Sequence, residues 1–495
     1  MSRQIVLCFD GTGNTFRTDG TDTNVLKICR MLEKSDKQLC YYQPGIGTDI
    51  TPGSLASTTI QKKSKLGNSK ALNLALGRSF DRHVLGGYRF LMRHYQAGTK
   101  VYIFGFSRGA YTARFLNEML DYVGLLGPDN EEVVPFIWDA FVTWKLGRND
   151  YDTEAKQKAY RVMKDSREIL SRPTARVHFL GMFDAVNSIA DFEVNLEGRT
   201  SSKIIRHAVS IDERRIKFRP VLLLSGTEDW VRQTPSDEKK SAKVTLSGNS
   251  ESTTGPPVLP EIPNISIPNE KREVEDDDDD EGLQDIEEMW FPGGHADIGG
   301  GWNLGSGETW PLTHAPLVWM VQEARRAGLR LDKNKLALHN CIAEFDSDPE
   351  EAKDWKEKKA SDSESSASYK NYLTTLQLAG TKGHIHDLLA YGNGLSLTSV
   401  LSWRLMEYLP FRRMESQADG ARKAVRWPPP RGRARDVPVN ARIHVSAIQR
   451  MKSDPSYRPD NLILDSGQGD IANSIGNWVV HSHEGDPVRE RYIRG

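Results

Sequence analysis

Short apolar runs alternate with stretches of helical periodicity over the first 231 residues of the chain. Runs rich in β-branched or aromatic residues predict strands at residues 4–9, 39–42, 100–104 and 176–183. Between them apolar side chains recur at helical spacing, as at Val25, Ile28, Cys29 and Leu32. The longest helical stretch, residues 71–95, contains Gly86 and Gly87, where we expect a break. Strands that alternate with helices predict an α/β fold, with a mostly parallel sheet covered by helices on both faces.

The alternation of strands and helices stops near residue 232. Residues 232–285 combine Ser, Thr and Lys with six prolines and an acidic run at 275–281. Such a stretch buries too little apolar area to offset the entropy of ordering it, so we predict a disordered acidic insertion. Because a strand pattern resumes at 288–291, the insertion falls within one catalytic domain. The predicted organisation is a catalytic domain at 1–345, a mobile loop at 346–368 and a mixed helical and loop extension at 369–495 that packs on the core.

The sharpest chemical motif is the sequence Gly-Phe-Ser-Arg-Gly at residues 105–109, which joins a predicted strand to a predicted helix. In a nucleophile elbow the serine lies on a tight, strained turn, and small residues two positions away relieve crowding around it. The start of the following helix favours negative charge that develops beside the serine. We therefore predict that Ser107 is a nucleophile; the alternative is a serine that only caps the helix.

A nucleophilic serine needs a base, and the base needs an orienting acid; in α/β hydrolases the chain order is Ser, then Asp or Glu, then His. Asp184 ends a predicted strand and is the candidate acid. His295 follows a strand pattern in a loop with five glycines, which imply close approach of the backbone, and it is the candidate base. Asp297, two residues further on, is an alternative acid.

Catalysis also requires hydrogen-bond donors for the developing oxyanion. The amide of Arg108 directly follows the nucleophile, and a second donor is expected from the loop after an early strand. Asp10, Gly11 and Thr12 lie in such a loop, and the amide of Gly11 or Thr12 is the candidate donor. The loop lacks the Gly-Lys-Ser/Thr of a P-loop and the third glycine of a dinucleotide fingerprint, so we expect no cofactor.

The overall charge gives no general attraction to nucleic acid or to an anionic membrane, because 66 Lys and Arg residues balance 67 Asp and Glu residues. The four cysteines have no paired spacing, so we expect neither a disulfide framework nor a zinc ribbon. His384, His386, His481 and His483 have no nearby acid or cysteine cluster, and we interpret them as surface residues. The basic, proline-rich segment 422–435 is interpreted as a solvated loop. No metal site is predicted.

The N-terminal residues begin directly with a strand and a turn and lack the pattern of a secretory signal. No apolar run reaches the length of about 18 residues that a spanning helix needs. We therefore expect a cytoplasmic protein. Peripheral contact with a membrane and the oligomeric state stay open.

Five motifs together resemble the widespread uncharacterised α/β-hydrolase domain family that is also found in bacterial type VI secretion phospholipase effectors. In chain order they are FDGTGNT, GFSRGAYTAR, FLGMFDAV, HAVSIDE and WFPGGHADIGGG, and they cover roughly residues 3–305. The resemblance implies a Ser–Asp–His hydrolase in which Ser107, Asp184 and His295 hold these roles. In the effector branch it also implies phospholipase or esterase activity. The acidic insertion before the histidine loop departs from that branch, so the reaction type is more firmly implied than the substrate.

The leading prediction is a serine hydrolase that forms an acyl-enzyme at Ser107 and cleaves carboxylic esters, with an ester or lipid as its small-molecule partner and no nucleic acid. Two alternatives stay open. A metal-assisted phosphoester hydrolase would use Asp10, Asp184, His295 and Asp297. A non-catalytic scaffold would keep the fold and bind a partner through its acidic insertion.

Overall fold

A computed structural model of the chain describes residues 2–16, 21–45, 69–146, 153–186, 200–223, 284–305, 307–342, 365–393, 395–407, 413–416, 422–425, 432–462 and 475–495. The predicted disordered insertion at 232–285 lies outside the described residues except for its last two. The predicted mobile loop at 346–368 also lies outside them except for residues 365–368, which begin a helix.

The strands are short, and those that carry the site are almost entirely buried. They are β1 (Gln4–Phe9), β2 (Gln38–Gln43), β3 (Lys100–Phe106), β4 (Leu125–Leu126), β5 (Ser171–Arg172), β6 (Phe179–Phe183), β7 (Ile204–Ser210), β8 (Asp285–Phe291), β9 (Arg413–Ser416), β10 (Arg422–Val425), β11 (Arg442–His444), β12 (Trp478–Ser482) and β13 (Arg491–Arg494).

The α-helices fall mainly between these strands. They are α1 (Asn24–Met31), α2 (Ser69–His94), α3 (Arg108–Val123), α4 (Val134–Leu146), α5 (Thr153–Leu170), α6 (His295–Gly299), α7 (His314–Arg326), α8 (Lys333–Leu338), α9 (Ser365–Lys382), α10 (Leu397–Met406) and α11 (Val445–Ser453). Single 3-10 turns lie at Pro128–Asn130 and Ile216–Phe218.

Nine strands form one sheet in the order β12-β13-β11-β8-β7-β6-β3-β1-β2. Every neighbouring pair from β11 to β2 is parallel. At the other edge β13 runs antiparallel to β11, and β12 runs antiparallel to β13. The mostly parallel sheet confirms the predicted α/β class.

Helices cover both faces of the sheet, as alternate residues of β1 illustrate. Val6 and Cys8 belong to one apolar core together with buried side chains of α1 and α7. On the opposite face Phe9 packs against α2 and α3. A Cβ atom added at Gly87 of α2 would lie only 2.6 Å from the ring of Phe9 and 3.0 Å from Leu116 of α3, which shows how closely the three elements approach. This arrangement of layers buries both faces, as expected for a parallel sheet.

The predicted break in the long helix at Gly86 and Gly87 is wrong, since α2 is continuous through both residues. The glycines serve packing instead. A Cβ atom at Gly86 would lie 2.5 Å from the hydroxyl oxygen of Tyr41 on β2, and a Cβ atom at Gly87 would lie 2.6 Å from the ring of Phe9 on β1. The helix can therefore approach the sheet closely, at the cost of roughly 1 kcal/mol per glycine in helix propensity.

The C-terminal region does more than pack on the core, because three of its strands extend the main sheet itself. Strand β11 pairs with β8 through Arg442 and Ile443, and the β12–β13 hairpin continues the sheet beyond it. These strands are only three to five residues long. So few residues show too little alternation to predict a strand from the sequence.

The sequence-predicted site residues follow the carboxyl ends of the parallel strands. Asp10 follows β1, Ser107 follows β3 and Asp184 follows β6, while His295 comes four residues after β8. Parallel strands bring these ends to one edge of the sheet, where open α/β folds bind ligands. Within the described residues no helix is long and apolar enough to cross a membrane.

Candidate active site

Ser107 occupies the strained turn between β3 and α3. Its φ of 59° is unfavourable for a residue with a side chain, and the residue is buried. Neighbouring backbone leaves no room for a Cβ at either flanking glycine: at Gly105 it would lie 2.5 Å from the Cα of Ala110, and at Gly109 it would meet the carbonyl oxygen of Phe9. The spacing of the two glycines is thus a steric requirement of this turn.

A chain of hydrogen bonds links the three residues predicted as nucleophile, base and acid. Nε2 of His295 lies 2.8 Å from Oγ of Ser107, and Nδ1 of His295 lies 2.6 Å from Oδ2 of Asp184. A neutral imidazole that donates its Nδ1 proton to the carboxylate has Nε2 free to accept the proton of the serine hydroxyl. The structure therefore brings the three side chains together in the order that serine acylation requires.

Asp184 is fully buried, and its carboxylate is surrounded by donors. Oδ1 accepts the amide of Ser210 at 2.9 Å, and the guanidinium of Arg435 donates to both carboxylate oxygens at 2.5 and 2.9 Å. Burial alone would raise the pKa of Asp184, but the charge of Arg435 and the hydrogen bond from His295 outweigh it and hold that pKa below its ordinary value. The carboxylate stays ionised.

Arg435 is the site residue that sequence reasoning missed, because segment 422–435 was interpreted as a solvated loop. For Arg435 this interpretation is wrong: the side chain is buried and also donates to the hydroxyl of Ser210 and the carbonyl of Phe218. It lies 251 residues from its partner Asp184. Two positions earlier, Arg433 is 64% exposed. Nothing in the local sequence shows which of these two arginines is buried. Arg435 differs from Arg433 because it supplies the cation that the buried carboxylate of Asp184 requires.

The imidazole of His295 is held on several sides. The rings of Phe106 and Phe218 lie 4.8 and 4.7 Å from it, measured between centroids, and its backbone amide donates to Glu213 at 3.1 Å. Although burial opposes ionisation of Glu213, the paired Arg215 lowers the pKa of Glu213 to about 2. Burial lowers the pKa of His295, and the hydrogen bond and charge of Asp184 offset this only in part. The imidazole of His295 is therefore neutral at physiological pH.

Asp297, the alternative acid, faces away from this relay. Its carboxylate accepts the amide of Gly294 at 2.9 Å and both the amide and Nδ1 of His386, at 3.0 and 2.6 Å. The surface interpretation of His386 is wrong, since that residue is buried. Asp297 thus fixes the start of α6 and joins the histidine loop to the C-terminal region, while Asp184 is the carboxylate bonded to His295.

His207, in the motif HAVSIDE, positions the segment that follows Asp184. Its Nε2 accepts the amide of Ala185 at 3.1 Å, and its Nδ1 lies 2.9 Å from Glu288 of β8. The adjacent parallel strands β6, β7 and β8 are thereby tied together next to Asp184. These contacts give His207 a structural role beside Asp184.

The loop after β1 lies beside the turn that holds Ser107, since the side chain of the next residue, Arg108, donates a hydrogen bond to the hydroxyl of Thr12. The amide of Gly11 is engaged by the carboxylate of Asp10 at 2.7 Å, and Asp10 also accepts the hydroxyl of Thr23. Asp10 therefore shapes the loop. Within the described ranges, no protein acceptor pairs with the amides of Thr12 and Arg108, so these two are the better candidates for oxyanion donors than Gly11.

The four residues of the metal-dependent alternative do not form a common donor group. Asp184 pairs with Arg435 and His295, Asp10 holds its own loop, and Asp297 binds His386. Among the residues that the structure describes, the one group of three metal-donor side chains with ligand atoms within 4.8 Å of one another contains none of the four. The geometry favours serine chemistry.

Comparisons with known proteins identify the family of the chain. Residues 3–323 match the family model described as "T6SS, Phospholipase effector Tle1-like, catalytic domain". An uncharacterized protein of Saccharomyces cerevisiae is 28% identical over an alignment that covers 93% of this chain and 80% of that protein.

Two solved structures are more distant. An uncharacterized protein from Pseudomonas aeruginosa shares 18% identity, with 77% of this chain and 53% of that chain covered and a TM-score of 0.34. The Tle1 effector bound to the VgrG spike of the type 6 secretion system shares 15% identity, with 61% and 52% covered and a TM-score of 0.28. The chain spans about half the length of these two structures.

We predict that Arg435→Gln destabilises the protein by about 3 kcal/mol at neutral pH, because it leaves the buried Asp184 without its cation. A carboxyl whose pKa is depressed by folding contributes stability above its unfolded pKa of about 4, and that contribution is lost as the pH falls through its lower folded value. The stability difference between variant and wild type should therefore shrink below about pH 4. Urea unfolding across this range measures it.

Arg433→Gln is the matched control and should leave the free energy of unfolding within about 0.5 kcal/mol of wild type. Equal stability of the Arg435→Gln and Arg433→Gln variants at neutral pH would show that the ion pair with Asp184 is not important to the fold.

Proposed function

Since the chain belongs to the T6SS phospholipase effector, Tle1-like, catalytic domain family, we propose that it is a serine hydrolase of carboxylic esters in lipids. The observation that carries the proposal is the relay in which His295 lies 2.8 Å from Ser107 and 2.6 Å from Asp184. In this proposal Ser107 attacks the ester carbonyl while His295 accepts its proton. The amides of Arg108 and Thr12 stabilise the oxyanion.

The rest of the cycle follows from the same groups. His295 returns the proton to the leaving alcohol, and the acyl group stays on Ser107. A water molecule then attacks the acyl-enzyme with His295 again as the base, which releases the acid and restores the serine. Asp184 stays ionised throughout and stabilises the imidazolium that forms in each step, with Arg435 holding the carboxylate in place.

A lipid substrate is supported by an exposed apolar stripe on α10. Leu397, Leu401 and Leu405 are spaced four residues apart, so they lie on one face of the helix, and they are 70%, 51% and 61% exposed. The same helix reaches the site, because the ring of its Trp403 lies 5.5 Å from that of Phe218, which in turn contacts His295. Such a stripe would contact the surface of a lipid aggregate while the ester enters the site.

Ser107→Ala should abolish turnover of a soluble activated ester and of phospholipid vesicles, with a loss of more than about a thousandfold, because it removes the nucleophile. In the wild type, kcat/KM should rise as His295 loses its proton, at a pH below the ordinary imidazole pKa of about 6.5. Hydrolysis rates measured across pH test both statements. Turnover by a folded Ser107→Ala protein would contradict the serine mechanism and favour the metal-dependent alternative.

Asp184→Asn should cost about three to four decades in the acylation rate, as in the serine-protease case, since Asn does not hold the imidazole in the required tautomer. Asp297→Asn should cost much less, because Asp297 contacts Gly294 and His386 rather than the ring of His295. Pre-steady-state acylation of both variants gives the comparison. A greater loss in Asp297→Asn would mean that the acid is misassigned.

Leu401→Asp and Leu405→Asp should lower turnover of phospholipid vesicles about tenfold or more, since each removes roughly 1.5–3 kcal/mol of apolar burial at the lipid surface. Hydrolysis of a soluble short-chain ester should stay unchanged. Leu338→Asp is the control, because Leu338 is 79% exposed at the end of α8. An equal loss on both substrates would contradict a role of the stripe in lipid contact.

A further inference from the structure

Three of the four cysteines lie close together on one face of the sheet, although they are well separated in the sequence. Cys8 lies on β1, Cys40 on the adjacent β2, and Cys29 on α1, which covers that face. All three Sγ atoms lie within 4.8 Å of one another, and those of Cys29 and Cys40 are 3.0 Å apart. The parallel register of β1 and β2 pairs Val6 with Cys40 and Cys8 with Tyr42, so Cys8 and Cys40 are two residue pairs apart and lie on the same face.

Apolar packing alone does not account for this cluster. A free cysteine in a core behaves as a small hydrophobic residue, which describes Cys8 and the separate Cys341, both fully buried. Cys40, however, is exposed and Cys29 is half-buried. The sulfur atoms of Cys29 and Cys40 lie 3.0 Å apart, within hydrogen-bonding distance, and either can be the donor, so the two side chains make a polar contact rather than an apolar one.

We propose that Cys8, Cys29 and Cys40 form a three-thiolate site for a thiophilic metal ion of the Zn²⁺ class. Soft thiolate ligands select such ions. A Zn–S bond of about 2.3 Å in tetrahedral geometry places two bound sulfur atoms about 3.8 Å apart. This separation falls between the 3.0 Å that separates the sulfur atoms of Cys29 and Cys40 and the 4.8 Å within which all three sulfur atoms lie. The exposed side of Cys40 leaves the fourth position to a water molecule.

The thiolate rather than the thiol is the metal ligand, so binding of a metal ion would release the thiol protons of the three cysteines to solvent. A disulfide between Cys29 and Cys40 would use only two of the three sulfur atoms that lie within 4.8 Å of one another.

A metal ion here would fasten α1 to β1 and β2 beside the candidate oxyanion loop. Strand β1 leads into Asp10, and the residue that caps α1, Thr23, donates to that carboxylate. The site shares no residue with the proposed triad. We therefore expect metal binding to stabilise the fold and to be detectable whether or not the protein hydrolyses esters.

The test is a Co²⁺ titration of the fully reduced full-length protein under anaerobic conditions. One equivalent should bind with a thiolate-to-metal charge-transfer band, and Zn²⁺ should displace it and raise the unfolding temperature. Cys29→Ser and Cys40→Ser should each weaken Co²⁺ binding at least about tenfold. Cys341→Ser, which alters the cysteine outside the cluster, should bind Co²⁺ like the wild type.

The wild type alone can also overturn the proposal, so it does not depend on how the variants fold. Absence of a charge-transfer band in the reduced protein would contradict it. Isolation of a stable disulfide between Cys29 and Cys40, seen as the loss of two hydrogens in the intact mass, together with no metal binding after reduction, would identify a redox pair instead. If added Zn²⁺ protects Cys29 and Cys40 from an alkylating reagent, that result would support the metal site.

Discussion

A fully buried carboxylate costs several kcal/mol of free energy unless charged donors surround it. Asp184 meets this requirement with the guanidinium of Arg435, which binds both of its oxygens, and with the imidazole of His295. The pair of Asp184 and Arg435 joins the end of β6 to a segment more than 250 residues away. This ionic contact orients the carboxylate that bonds to the proposed base, and it adds to the strand pairing of β11 with β8 in holding the C-terminal region at the sheet edge.

Steric limits at the same edge explain why so many glycines surround the site. The ring of Phe106, directly before the nucleophile, packs against His295, and it occupies the space that Cβ atoms at Gly11 and Gly299 would need. Gly105 and Gly109 are restricted by backbone atoms in the same way. The glycine-rich motifs of the first and last loops thus allow one aromatic ring to support the base, in addition to any role of their amides in catalysis.

The sequence predicted most of the strands that carry the site, because each is a short buried run bounded by turn residues, as at Gln4–Phe9. The positions of Ser107, Asp184 and His295 at one sheet edge followed from the same pattern, although their catalytic roles stay predictions. Contacts between residues that are distant in the sequence could not be predicted from it. Arg435 looks like its exposed neighbour Arg433, His386 gives no local sign of its bond to Asp297, and the three clustered cysteines meet only once β1, β2 and α1 have packed. Each of these depends on tertiary packing, which short-range periodicity does not encode.

The central claim is that Ser107 is a nucleophile activated through His295 and Asp184. The most direct measurement is covalent labelling of the intact protein with a fluorophosphonate, with the adduct mapped by peptide mass spectrometry. The account predicts one adduct, at Ser107, whose rate of formation rises as His295 loses its proton and falls in the Asp184→Asn variant. A folded protein that gives no adduct, or an adduct on another residue, would contradict it.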